Sequence, residues 1–462
     1  MITNKEILKE LIALESTQVH SAFLIDSLNY WPAIRIRLAF SIISKRYKNN
    51  KSKIESLKKG LISIFKNLRS GKLKYQKSEV LFVTHDLYQL SVEGQNYDRV
   101  LEEYKIDLIR AEKTFFELNL ATGNIKFCSN KENISKSIQV RLFLLKVHCY
   151  FMTRLISRHS HFETHINYIN RHLSKAFPGF ETKLLEIRQY LIYLELLKSY
   201  FTRLLGKLGV STIYQSTYYD PIGLAINSAA SQLDITTYCV QHGGQSRNNP
   251  AFGQWTNLPF NGYAMLPDIF LCWDKESADT IMEWAIETKY HNAQVKGYKW
   301  PELWRDGSIE YSGLLALQKL SLGKLNILYT MQPSIGMPPE VVIEMMKQST
   351  IGINWWLRLH PRQVGTKVDA DLHQMYLDST NIFVMEASFE PLPALMINMD
   401  LHLTSFSSCV YEAMLFDVPT IFINRMGQEY FNKTIQSGKA KLCLTFKELE
   451  TNIYERLHAK FK

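Results

Sequence analysis

The chain has 462 residues, 46% of them hydrophobic and 21% charged, with a formal net charge of +10. Single hydrophobic cores stop growing at roughly 250–300 residues, and this composition excludes a disordered polymer, so two ordinary globular domains are expected. The six cysteines (Cys128, Cys149, Cys239, Cys272, Cys409 and Cys443) are scattered, without a CxxC pair or a Cys/His cluster at metal spacing, which argues against structural zinc and a disulfide scaffold and fits a reducing compartment.

The opening residues carry charges and no long apolar core, so no signal peptide is expected. No stretch reaches the about 18 uncharged apolar residues of a membrane span. The most apolar helical candidate, residues 190–205, is interrupted by Glu195, Lys198 and Arg203. A cytoplasmic protein is the expectation. Residues 1–75 read as a helical N-terminal extension. Within it, from Lys45 to Lys77, stand twelve Lys or Arg against one acid, Glu55, with Ile54, Leu57, Leu61, Phe65 and Leu68 interleaved at roughly helical spacing. A basic amphipathic helix of this kind can lie on an anionic membrane at the inner face, or pack on the domain as a solvated helix. No nucleic-acid module accompanies the charge, so nucleic acid is not expected as a partner.

Residues 79–84 are a short apolar, β-branched run ending in His85-Asp86, and read as the first strand of an α/β domain spanning residues 76–300. Gly94-Gln95-Asn96-Tyr97-Asp98 is expected to begin the next helix, and residues 138–208 to be largely helical with a break near Phe177-Pro178-Gly179. Strand and helix signals then alternate: strand 211–215, Ala-rich helix 221–232, strand 236–240, strand 268–273, helix 276–288. Such alternation predicts a parallel sheet covered by helices. Residues 297–323 lack clear periodicity and read as the crossing between domains. The second domain, residues 301–462, repeats the pattern with strands 326–331, 354–359, 381–385, 401–404 and 420–423. Its helices are expected at 339–348, 370–377, 392–398 and 410–416.

Ligands of open α/β sheets bind beyond the carboxyl ends of the strands, so the residues just after each apolar run carry the functional expectation. After strand 236–240 comes Gln241-His242-Gly243-Gly244, in which the glycines admit close approach and His242 is a candidate general base. After strand 354–359 comes His360-Pro361-Arg362, with Arg358 just before; a His and two Arg there suit a phosphate. After strand 401–404 comes Thr404-Ser405-Phe406-Ser407-Ser408 and a helix holding Glu412. Those hydroxyls and the helix N-terminus suit an anion, since an ordinary Ser cap needs one hydroxyl and not four, and Glu412 suits a ribose diol or, equally, is a first-turn acid favoured by the helix dipole. Asp220, Asp86 and Asp98 are further carboxylates that could meet an acceptor hydroxyl, or serve as caps.

Gln241-His242-Gly243, His360-Pro361, and Ser407-Ser408 followed by Tyr411-Glu412-Ala413 and Pro419-Thr420 together resemble bacterial capsule and O-antigen glycosyltransferases of the GT-B fold. Similar HG, HP and SS signatures occur in the CDP-glycerol glycerophosphotransferases of teichoic-acid synthesis. HP and SS also occur in the sialyltransferases and Kdo transferases that use CMP-sugars. The acidic D/E-D/E-G motif of several sialyltransferases is not evident. The resemblance implies two doubly wound Rossmann-like domains facing a cleft, and transfer from a nucleotide sugar to an oligosaccharide or lipid-linked glycan acceptor without a bound metal or other cofactor. By that resemblance His360, Ser407 and Ser408 hold the donor phosphate, Glu412 the ribose, and His242 faces the transferred group; from the residues themselves Asp220 is a second candidate, as base or as the partner that orients His242. Asp86, Asp98, Gln241 and Gly243 would lie on the acceptor side. A CDP-polyol phosphotransferase, a UDP-sugar 2-epimerase and a non-catalytic scaffold of a polysaccharide-assembly complex are the competing expectations.

Overall fold

The computed structural model describes residues 3–17, 19–44, 77–120, 123–128, 133–155, 162–243, 245–332, 335–348 and 351–461. The basic segment expected at residues 45–77 thus lies, but for Lys77, outside the described residues. The chain forms two compact units, one of residues 1–89 and 97–297, the other of residues 90–96 and 298–462. Both are α/β with Rossmann-like parallel sheets, the class that the alternating pattern predicts.

The sheet of the first unit runs, in space, Asn292–Val295, Ile269–Cys272, Thr236–Val240, Thr212–Gln215, Val80–Thr84, Phe115–Asn119, Asn124–Cys128, Asn133–Ser137. The first six are parallel and the last two form an antiparallel meander. Side chains alternate across a strand, so Leu81 and Val83 pack beneath helices Leu184–Leu208 and Pro221–Ser231, while Phe82 faces Val100 and Leu101 on the other side. Three adjacent strands place Phe82, Tyr214 and Tyr238 in register, and their rings stack at 5.4 and 4.8 Å between centroids.

The opening helices Asn4–Glu15 and Trp31–Ser44 are built into this unit's core. Leu11, Trp31 and Ile34 share one apolar cluster with Phe162, Leu191, Trp255 and Trp284. They also carry a fully buried ion pair, Glu15 with Arg35 at 2.9 Å. Glu15 Oε1 also accepts from Trp31 Nε1 at 2.8 Å, and Oε2 from the amide and hydroxyl of Thr256 at 3.2 and 2.6 Å. Arg35 donates to the carbonyls of Gly253 and Gln254 at 2.7 and 3.2 Å and stacks over Trp255 at 3.9 Å. The irregular segment that follows His242 is therefore anchored to the chain's first helices by a charge pair that neither side could bury alone.

The second unit has a six-stranded, wholly parallel sheet in the spatial order Ile382–Phe383, Ile353–Arg358, Leu325–Thr330, Leu401–Thr404, Thr420–Phe422, Ala440–Leu442. Numbered by sequence this is 3-2-1-4-5-6, whose switch point lies between the strands ending at Thr330 and Thr404. All six residues of Leu325–Thr330 are buried, as a central parallel strand requires. His402 spans its strand's neighbours, with Nε2 2.8 Å from Thr330 Oγ1 and Nδ1 3.0 Å from Thr420 Oγ1, and burial drives its pKa down to about 3.

Several elements differ from expectation. Residues 94–98 do not begin a helix: Glu93 and Gly94 take φ of 50° and 82°, the two-residue turn of a hairpin between Gln89–Val92 and Gln95–Asp98. The helix starts at Glu102. Residues 297–323 contain two short helices, Trp300–Arg305 and Leu314–Ser321, the first burying Trp300 and Trp304. The strand expected at 381–385 shrinks to Ile382–Phe383, and Met385–Phe389 turns helical. The strands Phe115–Asn119, Asn124–Cys128, Asn133–Ser137, Asn292–Val295 and Ala440–Leu442 are additions, the last within a stretch expected to be a helical tail.

Candidate functional site

In the first unit, the strand ending at Thr84 has its sequence successor, Phe115–Asn119, on one side and Thr212–Gln215 on the other. This is the switch point of that sheet, and three of the polar strand ends gather there. His85 caps the turn after its strand, its Nδ1 accepting from the Leu87 amide at 3.1 Å. Tyr219 and Asp220 follow the next strand, and His242 the one after. Tyr219 Oη lies 3.0 Å from His242 Nε2, and the Tyr88 ring packs on the imidazole at 4.9 Å. The Tyr88 hydroxyl bonds to Thr217 and Tyr219, and Arg99 lies over the Tyr88 ring at 5.8 Å.

Burial lowers the pKa of His242 to about 4. The carbonyls of Ser216 and Val240 oppose that shift without hydrogen-bond geometry to Nδ1, which is buried and without a partner among the described residues. The ring is thus neutral throughout the physiological range, and a weaker base than the unperturbed imidazole expected from sequence. Asp220 does not orient His242. Its Oδ1 accepts from the amides of Ile222 and Gly223 at 2.6 and 2.9 Å, capping helix Pro221–Ser231. Only glycine fits at the third position of that helix, because a Cβ there would meet the Tyr218 carbonyl at 2.6 Å. Burial raises the Asp220 pKa, against its two amide bonds and the nearby His85.

The remaining acceptor-side candidates are placed as follows. Gln241 is a staple: its Nε2 donates to Gly243 O and Ser277 Oγ at 2.9 and 3.1 Å, and its Oε1 accepts from the Trp273 amide at 2.8 Å. Gly243 is half-buried, with open space where a Cβ would stand. Asp86 is exposed and accepts from Asn119 Nδ2 at 2.7 Å, across the switch point from His242. Asp98 is fully buried, its Oδ1 taking the amides of Val100 and Leu101 at 3.0 and 3.1 Å, and burial raises its pKa to about 6.

In the second unit the strand ends at Arg358 and Thr404 flank the central strand ending at Thr330. Backbone to backbone, two strand spacings put them about 10 Å apart. Gln363 ties the loops together, accepting from the His360 amide at 3.0 Å and donating to Gly336 O at 3.1 Å. His360 Nδ1 accepts from the Arg362 amide at 3.1 Å, so the neutral ring carries its proton on Nε2 as a donor. Partial burial and the Arg362 charge lower its pKa. Arg362 is exposed. Arg358 instead holds the chain beside it, with Nη1 donating to Ala387 O and Glu390 O at 2.5 and 2.9 Å; burial lowers its pKa while the nearby Cys409 and Glu412 raise it.

The hydroxyl cluster holds two loop builders, a buried Ser405 beside Tyr329, and one exposed group. Thr404 Oγ1 donates to Thr330 O at 3.1 Å and accepts from the Ser407 amide at 3.2 Å, closing the switch point. Ser407 Oγ accepts from the Cys409 amide at 3.2 Å. The amides of Val410 and Tyr411 bond to Ser407 O and Ser408 O, so the first turn of Cys409–Leu415 is wound tightly and its N–H groups are engaged rather than open to an anion. Ser408 is exposed and makes no side-chain cap. A Cβ on Gly427 would strike Ser405 O at 2.7 Å, so the following helix presses close on this loop.

No protein-family model matches the sequence, and no curated protein matches it significantly. Solved structures do. The UDP-GlcNAc 2-epimerase of Methanocaldococcus jannaschii aligns over 82% of this chain and 92% of its own at 12% identity, with a TM-score of 0.47. A second UDP-N-acetylglucosamine 2-epimerase aligns over 83% and 88% at 12% identity and 0.47. The wall teichoic acid polymerase TagF aligns over 92% of both chains at 10% identity and 0.39. At these identities no residue correspondence follows.

Among the described residues no three His, Cys, Asp or Glu side chains gather as a metal site, and no helix is long and apolar enough to cross a membrane. The residues that sequence reasoning missed are Tyr88, Tyr219 and Gln363. Tyr219 stands in the same strand-end motif as Asp220 and was legible there as a hydroxyl; Tyr88 and Gln363 lie one turn beyond their strands, where no spacing marks them.

Proposed function

We propose that this protein is a nucleotide-sugar-dependent glycosyltransferase of the GT-B kind, building a bacterial surface polysaccharide. One observation carries the reading: His360 and the Thr404–Ser408 loop stand at the carboxyl ends of the two strands that flank the central strand of a 3-2-1-4-5-6 sheet. That is where open α/β sheets take nucleotides. Nε2–H of His360, the Ser408 hydroxyl and the Arg362 guanidinium supply donors for a diphosphate, and Glu412 an acceptor for the ribose diol. Thr404, Ser407 and Arg358 hold the loops that present them. In the first unit His242, neutral at physiological pH, takes the acceptor proton through its bond to Tyr219, and Asp220 fixes the helix beside it. The acceptor is an oligosaccharide or lipid-linked glycan.

A thermal-shift panel of CMP, CDP, UDP, GDP and TDP tests the donor site, since a ligand held by the native state raises its apparent stability. The nucleotide that stabilises the parent should not stabilise His360→Ala. Equal shifts in both proteins refute the assignment. With the matching nucleotide sugar, turnover without acceptor would mark an epimerase, and phosphorus in the product a polyol-phosphate transferase.

A further inference from the structure

In the second unit, the chain that turns after the edge strand Ile382–Phe383 stands at the same end of the sheet as His360. Arg358 fixes it there, its Nη1 donating to the carbonyls of Ala387 and Glu390, and the Leu359 amide donates to Ser388 Oγ at 3.1 Å. The same guanidinium feels the charge of Glu412, so the ribose candidate and residues 387–390 flank one side chain. Met385 and Phe389, four residues apart and so on one face of the short helix Met385–Phe389, are 55% and 58% exposed. Next to the Phe389 ring in the chain is Glu390. Its Oε2 is buried without a hydrogen-bond partner among the described residues, and burial raises its pKa. The residue as a whole is only half-buried, so a ligand can reach the carboxyl group. A partly desolvated carboxylate gains more from a donor than one that water already satisfies.

We propose that Phe389 and Glu390 read the base of the donor nucleotide, the ring stacking on its face and the carboxylate accepting from an exocyclic amino group, so that the donor carries cytosine, guanine or adenine rather than uracil or thymine. Stacking is indifferent to sequence, since every base has a π-face. The edge is not indifferent. A carboxylate accepts the N–H of an amino group, as in its pairing with cytosine N4. Uracil and thymine instead flank their one N–H with two carbonyl oxygens, which repel the second oxygen of a carboxylate. The proposal rests on the donor reading of this strand end and adds to it the class of base.

Isothermal titration of the full-length protein compares CMP with UMP and CDP with UDP, pairs that differ only at this edge, and adds GDP and ADP. At least one amino-bearing nucleotide should bind about tenfold tighter than the uracil nucleotides, the surplus of a charge-assisted bond. Glu390→Gln, nearly isosteric, should lose that preference. Phe389→Ala should weaken every nucleotide roughly tenfold and leave the ranking as it was. Unchanged melting temperatures establish that both variants are folded, and the preference of the parent is a test that needs neither. Uracil nucleotides binding the parent as tightly as amino-bearing ones, or a Glu390→Gln ranking like that of the parent, overturn the proposal, while weakened binding in His360→Ala would still uphold the donor site. Failure of every nucleotide in the set to bind the parent removes the donor reading and this proposal with it.

Discussion

Arg35→Met tests how the segment around His242 is held. Both members of the Glu15–Arg35 pair are fully buried, so the substitution strands a carboxylate in the core. Removing one partner of a buried pair costs about 3–5 kcal/mol. Glu15 retains three donors, from Trp31 and Thr256, which places the charge penalty near the lower limit. The carbonyls of Gly253 and Gln254 lose their donor, at about 1 kcal/mol for a buried acceptor left unmade. A total of about 4 kcal/mol follows. At roughly 2 °C per kcal/mol for a unit of this size, differential scanning fluorimetry should show the melting of the first unit falling by about 8 °C. The double variant Glu15→Gln with Arg35→Met removes the stranded charge and should recover about half of that. A single variant melting within 2 °C of the parent, or a double variant melting below the single one, would refute the reasoning.

His360→Ala should weaken nucleotide-sugar affinity or turnover by roughly ten- to hundredfold, the loss of one charge-assisted bond; unchanged kinetics exclude the donor assignment. His242→Ala should lower turnover by about 10²-fold, the low end of general-base effects because burial holds its pKa at about 4, with donor affinity nearly intact, and Tyr219→Phe should lower it less; parental turnover in a folded His242→Ala protein removes the base. His402→Asn tests acid stability in the second unit. Its folded pKa of about 3 lies below the ordinary 6.5, so the unfolded chain takes up the extra proton below pH 6.5 and parental stability falls with pH down to about 3. The parent should lose about 1.4 kcal/mol per pH unit relative to His402→Asn across that window in urea titrations; parallel curves contradict it.

Most of the buried parallel strands were readable because they are runs of β-branched and apolar residues ending in polar ones, whereas Phe115–Asn119, interrupted by Glu117, was not. Strand Thr236–Val240 and strand Leu401–Thr404 match residue for residue. The meander was not readable: Asn124–Cys128 and the edge strand Asn133–Ser137 mix Asn, Lys and Ser with apolar residues, and their pairing rather than composition makes them strands. At the candidate site, position was legible and partnership was not. Sequence places His242 and Asp220 after neighbouring strands but says nothing of Tyr219, one residue nearer, reaching the imidazole first. Likewise four hydroxyls after Leu403 read as anion ligands, yet folding consumes Thr404 and Ser407 in closing the loop. A polar strand end must first satisfy its own backbone.

Residues 90–96 belong to the second unit, where Glu93 accepts from the amide and hydroxyl of Ser312, the former at 2.8 Å. During synthesis this hairpin tip leaves the ribosome more than two hundred residues ahead of Ser312. At about 5–20 residues per second the wait is on the order of ten to forty seconds. The first half can thus assemble while one of its own turns stays unclaimed, and the second half cannot be completed from its own contiguous sequence. A gene split after Gly297 would yield a C-terminal fragment lacking that piece, whereas a circular permutant opened elsewhere would keep it.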